Sequence, residues 1–381
     1  MSGWASVLTV SRFTVVLVSV VLLAVSSFSP CVFGANFEPS YWLLDHPDGS
    51  NRQELSLSVS SSLYEYYVAK DHSLHYSLDL GKFVTPYALE PVADSLWTFY
   101  SDAENFANGV LMIVHQIPYA ASTPQKYPVE TIVAEEGDCD LFSFVAASIL
   151  VAGGLDVVLL YYESESHMNV GVSLSHAPQD ARSSVRYFVN NNVRYYVAET
   201  TGGDWENGWR VGEYPDSLVG ASAQVITLED AETVSPGQVS ASFNGVSTSS
   251  ITLSASPSWL MQGSAVVLSG VVSPVSSDGT VTLYVRSENS SWSVLATVPC
   301  GSNGQYSYEW TPDSAGSYFL RASWSGDLSH ASADSNINSL RVMSSSLIFL
   351  GLILALLAVA AIIVYAVSRR VGKVPDYPVA Q

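Results

Sequence analysis

At 381 residues, 48% of them hydrophobic, the chain has room for two soluble domains of ordinary size and is too apolar to be disordered. Its 35 acidic and 15 basic side chains give a formal charge of −20, a surface that repels nucleic acid and anionic lipid and so excludes nucleic acid as an expected partner. The apolar excess sits at the two ends, with alternating patterns between them, which is not the plan of a polytopic membrane protein.

Residues 1–35 have the layout of a signal peptide: one positive charge at Arg12, an apolar run over Phe13–Phe28, then small residues including Gly34 and Ala35 near a plausible cut. An uncleaved signal anchor is the competing reading, and either puts the middle of the chain outside the cell. Of three cysteines, Cys31 leaves with the signal, so Cys139 and Cys300 cannot form a disulfide framework, although they could pair with each other.

Residues 36–84 are left unassigned, because the alternation over Leu55–Tyr67 suits a strand or a short helix. Helices are predicted over Pro86–Tyr100, with Pro at its start, and Asp102–Ile117, where Phe106, Val110, Ile113 and Ile117 recur at helical spacing before Pro118. A loop through Pro124 and Pro128 follows. Asp138 is then a fitting N-cap for a helix that holds Cys139 in its first turn, buries Phe142, Val145, Ala146, Ile149 and Leu150, and closes at Gly153-Gly154. Strands are predicted over Val157–Tyr162, Asn169–Leu174, Val185–Val189 and Val193–Ala198, the last two joined by Asn190-Asn191-Asn192. A helix followed by a run of strands is an α+β arrangement, assigned here to a domain at residues 85–230.

Beyond residue 231 the texture becomes Ser, Thr, Val and Gly in short alternating runs, separated by turn signals such as Asp278-Gly279 and Asn303-Gly304. Residues 231–343, particularly Gly316-Ser317-Tyr318 through Trp324-Ser325-Gly326-Asp327, resemble an immunoglobulin-like β-sandwich of microbial surfaces, with the expected role of a stalk. Leu347–Val367 is 21 residues without a charge, roughly the 30 Å of a bilayer core as a helix. A transmembrane helix is therefore expected at residues 344–368, with Arg369, Arg370 and Lys373 holding the tail, 369–381, in the cytoplasm. The expected location is the cell membrane, single-pass, with the ectodomain outside.

The chemistry centres on Cys139. A thiol in the first turn of a helix feels the helix dipole, which favours thiolate, while Asp138 and Asp140 oppose ionisation and a nearby imidazolium would offset them. His167 stands at the start of a strand, Glu199 at the end of another, where an acid could orient the imidazole. His72, His75, His115 and His176 have no such context and are assigned structural or solvated roles. Cys139 and His167 lack further ligands at useful spacing for zinc, and no cofactor is demanded.

The stretch Tyr127-Pro128-Val129-Glu130-Thr131-Ile132, then Gly137-Asp138-Cys139, a helix, Gly153-Gly154, a strand and His167 resembles the microbial and archaeal branch of the transglutaminase-like cysteine protease superfamily. The likeness covers about residues 85–226. It implies a transglutaminase-like (papain-like) α+β domain in which Cys139 is the nucleophile, His167 the general base and Glu199 the orienting acid. Asp is commoner at the third position, with Asp204 as substitute. Donors to an acyl oxyanion would be the Cys139 backbone N–H and the Gln116 side chain, before the family-like Ile117-Pro118-Tyr119. The implied function is a thiol hydrolase of protein or peptide amides, the alternatives being an inactive surface adhesion or scaffold protein and a protein-crosslinking acyltransferase.

Overall fold

Ser60 divides the stretch that suited both strand and helix. In the computed structural model, which describes residues 36–275, 279–288 and 290–371, the alternation belongs to β2 (Arg52–Ser58), paired antiparallel with β1 (Ser40–Leu44) so that Trp42 faces Glu54. Ser60 then caps α1 (Ser61–Val68), its hydroxyl accepting from Leu63 N–H at 3.2 Å. Both readings of Leu55–Tyr67 hold, in succession.

The helical layer follows as α2 (Pro86–Phe99), α3 (Ala103–His115), α4 (Pro128–Ala134) and α5 (Cys139–Ala152). The α4 turn falls where the sequence suggested only loop. Pro128 supplies a φ suited to a first helical residue, and Glu130 reaches back to accept from Tyr127 N–H at 2.9 Å. α5 is buried almost all round, which its composition of Leu, Phe, Val and Ala permits. It ends at Gly153-Gly154, the latter at φ +83°, a conformation that suits glycine.

α5 packs against β3 (Val157–Tyr162) and β4 (His167–Val172) of an antiparallel five-stranded sheet. Its other strands are β5 (Tyr187–Asn190), β6 (Val193–Ala198) and β7 (Gln224–Ile226), in the order β5-β6-β4-β3-β7. Asn191 and Asn192, at φ 49° and 64°, make the β5–β6 turn, the positive-φ pair that a tight hairpin asks for. The chain then returns to the first sheet, where β8 (Ser240–Ser242) pairs with β2.

The remaining strands build a two-sheet sandwich around Leu268, Leu283, Leu320, Trp324 and Leu340. One sheet holds β9 (Ser250–Ile251), β10 (Ser254–Ser256), β12 (Val266–Ser273) and β15 (Gln305–Trp310). The other runs β11 (Trp259–Met261), β18 (Asn338–Met343), β16 (Gly316–Trp324), β13 (Thr280–Ser287), β14 (Ser293–Pro299), with β17 (Ala333–Asp334) alongside β16.

The sandwich is bonded to the first sheet and α1 by a buried polar seam. Asp334 accepts from Ser62 N–H at 2.8 Å and from Ser62 Oγ at 2.7 Å, so a carboxylate of the sandwich serves the N-terminus of α1. Ser58 meets Ser332 at 2.9 Å, Ser323 donates to Ser60 at 3.2 Å, and Arg321 pairs with Glu65 at 2.6 Å.

The C-terminal helix α6 (Ser345–Val371) corrects one expectation. Among the described residues no helix is long and apolar enough to cross a membrane, which overturns the transmembrane anchor at 344–368 and the single-pass placement built on it. The signal peptide expected at 1–35 lies outside the described residues, as does 372–381 of the expected tail.

Candidate active site at the start of α5

Asp138 sets where α5 begins. Its extended backbone (φ −117°) and its carboxylate, which accepts from Leu141 N–H at 3.4 Å and Ser122 N–H at 3.0 Å, fix Cys139 as the first helical residue. Just upstream, Gly137 bridges to Tyr119, with Ala120 N–H donating to Gly137 O at 2.7 Å, so the 118–120 segment flanks the thiol.

Cys139 is 8% exposed, and both it and Cys300 are free thiols. The thiol donates to Asp140 Oδ1 at 3.6 Å, and α5, which starts at Cys139, packs on β4, which starts at His167. α5 and β4 therefore bring Cys139 against the strand start that carries His167. The surroundings of the thiol oppose its ionisation. Burial, then the charge of Asp140, pushes the thiol up to about 12; the Met168 N–H opposes this and Asp138 adds to it. Asp140 is itself raised, by burial and by Asp138, against the hydrogen bond from Gln125.

His167 and Glu199 meet because of the β4–β6 register. Val170 pairs with Ala198, so one step further Asn169 lies opposite Glu199 and His167 lies diagonal to it on the same face. His167 Nε2 is 3.1 and 3.0 Å from the two oxygens of Glu199. The Glu199 carboxylate is fully buried and also accepts from Asn169 Nδ2 at 3.1 Å, Thr201 N–H at 3.0 Å and Thr201 Oγ1 at 2.6 Å. Burial pushes its pKa up, but the His167 bond and charge, with Thr201 and Asn169, outweigh this and hold it below the ordinary glutamate range. Ser143, one turn along α5, donates to Cys139 O at 2.7 Å and meets Thr200 Oγ1 at 3.0 Å, tying the cysteine turn to the acid strand.

Asp204, the substitute acid, is exposed and accepts from Asn207 N–H at 3.0 Å within its own turn. Gln116 lines a cleft beside Tyr119 and Phe142, and its amide is engaged by main-chain groups. Its Oε1 accepts from Trp42 N–H at 2.9 Å, and its Nε2 donates to Trp42 O and Met112 O at 2.8 Å, so the amide joins α3 to β1. Three supporting residues escaped the sequence reading: Asn169, Thr201 and Ser143. Asn169 was within reach of it, two residues after His167 and so on the same face of the strand.

Two clefts flank the site. One of about 270 Å³ is lined by Asp140, Gln125, Tyr161, Tyr76 and Leu80. The other, about 340 Å³, is lined by Gln116, Pro118, Tyr119, Phe142, Gly202 and Gly203. Tyr119 is 65% exposed, and its phenol is raised by burial and by Cys139, Asp138 and Asp140. A larger cleft, about 600 Å³, lies in the sandwich beside Gly270 and Tyr306, far in the fold from the thiol.

Residues 251–343 match the family described as bacterial Ig-like domain (group 3), so the C-terminal sandwich is Ig-like; the match does not reach Cys139, His167 or Glu199. No curated protein matches the chain. Among solved structures, a CARDB domain from Pyrococcus furiosus is 16% identical, covering 25% of this chain and 90% of that one, at a TM-score of 0.18. A chitin binding domain from Burkholderia pseudomallei is 12% identical, over 22% of this chain and 56% of that one, TM-score 0.19. A β-glucosidase from Listeria innocua is 13% identical, covering 25% of this chain and only 16% of the enzyme, TM-score 0.18. Likenesses with TM-scores this low carry no functional weight.

Proposed function

We propose that the chain is a transglutaminase-like thiol hydrolase acting on protein or peptide amides through an acyl-enzyme, with Cys139, His167 and Glu199 as nucleophile, base and orienting acid. One observation carries the reading. His167 Nε2 faces both oxygens of a fully buried Glu199, while α5, which begins at Cys139, packs on β4, which begins at His167. That arrangement fixes the imidazole tautomer, leaving Nδ1 as the base. Because burial and Asp140 hold the thiol protonated, His167 takes the proton as sulfur attacks the carbonyl carbon, not in a standing ion pair. The C–N bond then breaks with His167 returning the proton to the leaving amine, and water, deprotonated by His167, releases the carboxylic acid. The developing oxyanion would draw on the Cys139 backbone N–H, which at a helix start has no intrahelical acceptor.

A second reading, a scaffold that keeps the fold without turnover, draws on the same thiol: it is 8% exposed and raised to about 12. Iodoacetamide labelling of the full-length chain, mapped to Cys139 and compared with His167→Ala, separates the two. Labelling that falls on the order of 10²-fold or more in the variant supports the hydrolase. An inert Cys139, or equal labelling in both proteins, rejects it. Trapping of the acyl group by an added amine in preference to water would convert the hydrolase into a crosslinking acyltransferase.

A further inference from the structure

We propose that His115 is a positioning residue for Glu199, fixing the acid by its main chain so that its carboxylate meets His167. The proposal rests on the reading above for what Glu199 does. Its geometry stands by itself.

The β4–β6 ladder stops at Ala198, so Glu199 lies one residue beyond the last sheet pair. Its carbonyl instead lies 2.9 Å from His115 Nε2, on the last turn of α3. A carbonyl only accepts, so Nε2 carries the hydrogen and His115 donates. The ring is 3% exposed. Burial lowers its pKa, against the bond to Glu199 O and the charges of Glu199 and Asp204, which keeps it a neutral donor. Glu206 and Arg210 border the same small cleft as the ring.

The loop after Glu199 closes on the ring's other edge. A Cβ at Gly208 would come 2.4 Å from His115 Nδ1, so this close approach requires glycine. His115 thus sits between the Glu199 carbonyl and the loop that follows it, holding the Cα from which the carboxylate reaches His167. That bond anchors the Glu199 main chain one residue beyond the sheet, beside the Ser143–Thr200 contact.

Titration of the Glu199 carboxyl by ¹³C NMR on the full-length protein, assigned with Glu199→Gln, tests this without using the thiol. In His115→Leu the midpoint should rise from its depressed value, on the order of one pH unit, as alignment with His167 is lost. His115→Gln, which keeps an N–H donor, should stay near wild type. A His115→Leu protein that melts earlier yet leaves the midpoint unmoved shows a residue that only fills space and overturns the proposal, as does a glutamine variant that behaves like the leucine one. Should His115→Leu not fold, Gly208→Ala, whose Cβ would press on His115 Nδ1 and on the Asp204 carbonyl, carries the test: a raised midpoint supports the proposal and an unchanged one overturns it. An inert Cys139 in wild type counts against the hydrolase alone.

Discussion

His167 presents Nε2 to Glu199 at 3.0 and 3.1 Å from its two oxygens, and the pair is held by strand register and not by a flexible loop. Glu199→Gln keeps the shape but removes the charge that fixes the tautomer, and the amide can turn its NH₂ toward the ring. Cys139 alkylation should slow on the order of 10²-fold or more. Glu199→Asp, one methylene shorter, should fall between. Unchanged rates in both variants would remove Glu199 from the site.

The depressed Glu199 pKa has a stability consequence of definite sign. A carboxyl whose folded pKa lies below its unfolded value stabilises the fold fully above the unfolded value, about 4.3, and loses that contribution as pH falls through the folded one. Urea unfolding between pH 7 and pH 3 should therefore show a steeper acid loss for wild type than for Glu199→Gln. Parallel curves would sink the claim that the buried carboxylate stays ionised.

Asp140 is the second largest cause of the raised Cys139 pKa, after burial. In a Cys300→Ser background, the pH dependence of Cys139 alkylation should shift to lower pH in Asp140→Asn relative to the Asp140 parent, whose thiol is pushed up to about 12. A midpoint that stays in place would mean that burial alone sets it.

The seam between α1 and the sandwich should show in stability. Asp334→Ala strips two bonds from Ser62 and should cost about 1.5–3 kcal/mol, the range for a hydrogen bond to a charged group. Arg52→Ala, which breaks an exposed pair with Glu206, should cost no more than about 1 kcal/mol by ion pairing. Equal losses in chemical denaturation would contradict the seam's role.

Much of the middle of the fold was legible because period and caps agreed there. Val157–Tyr162 and Val193–Ala198 were placed to the residue by runs of β-branched, aromatic and other apolar residues, and Asp138 and Gly153-Gly154 bounded α5. What escaped was non-local. β8 reads as sandwich texture but pairs with β2, some 180 residues earlier, and no local pattern encodes that partner. The surroundings of the Gln116 amide and of the thiol escaped for a like reason. An amide's direction depends on Trp42, and a thiol's ionisation on how deeply Asp140 and the helix are buried with it. The C-terminal apolar run illustrates a third limit, since composition proposed a span that the described helix does not provide.

Ser58, Ser60 and Ser62 joined to Ser332, Ser323 and Asp334 also brace the sandwich against the first sheet and α1. A tether of loose linker would let the thiol sweep a volume in search of targets. Here the bearing of the site is set by where the sandwich points. Tension applied to the sandwich would pass through hydroxyl contacts into the first turn of α1 before any linker could stretch.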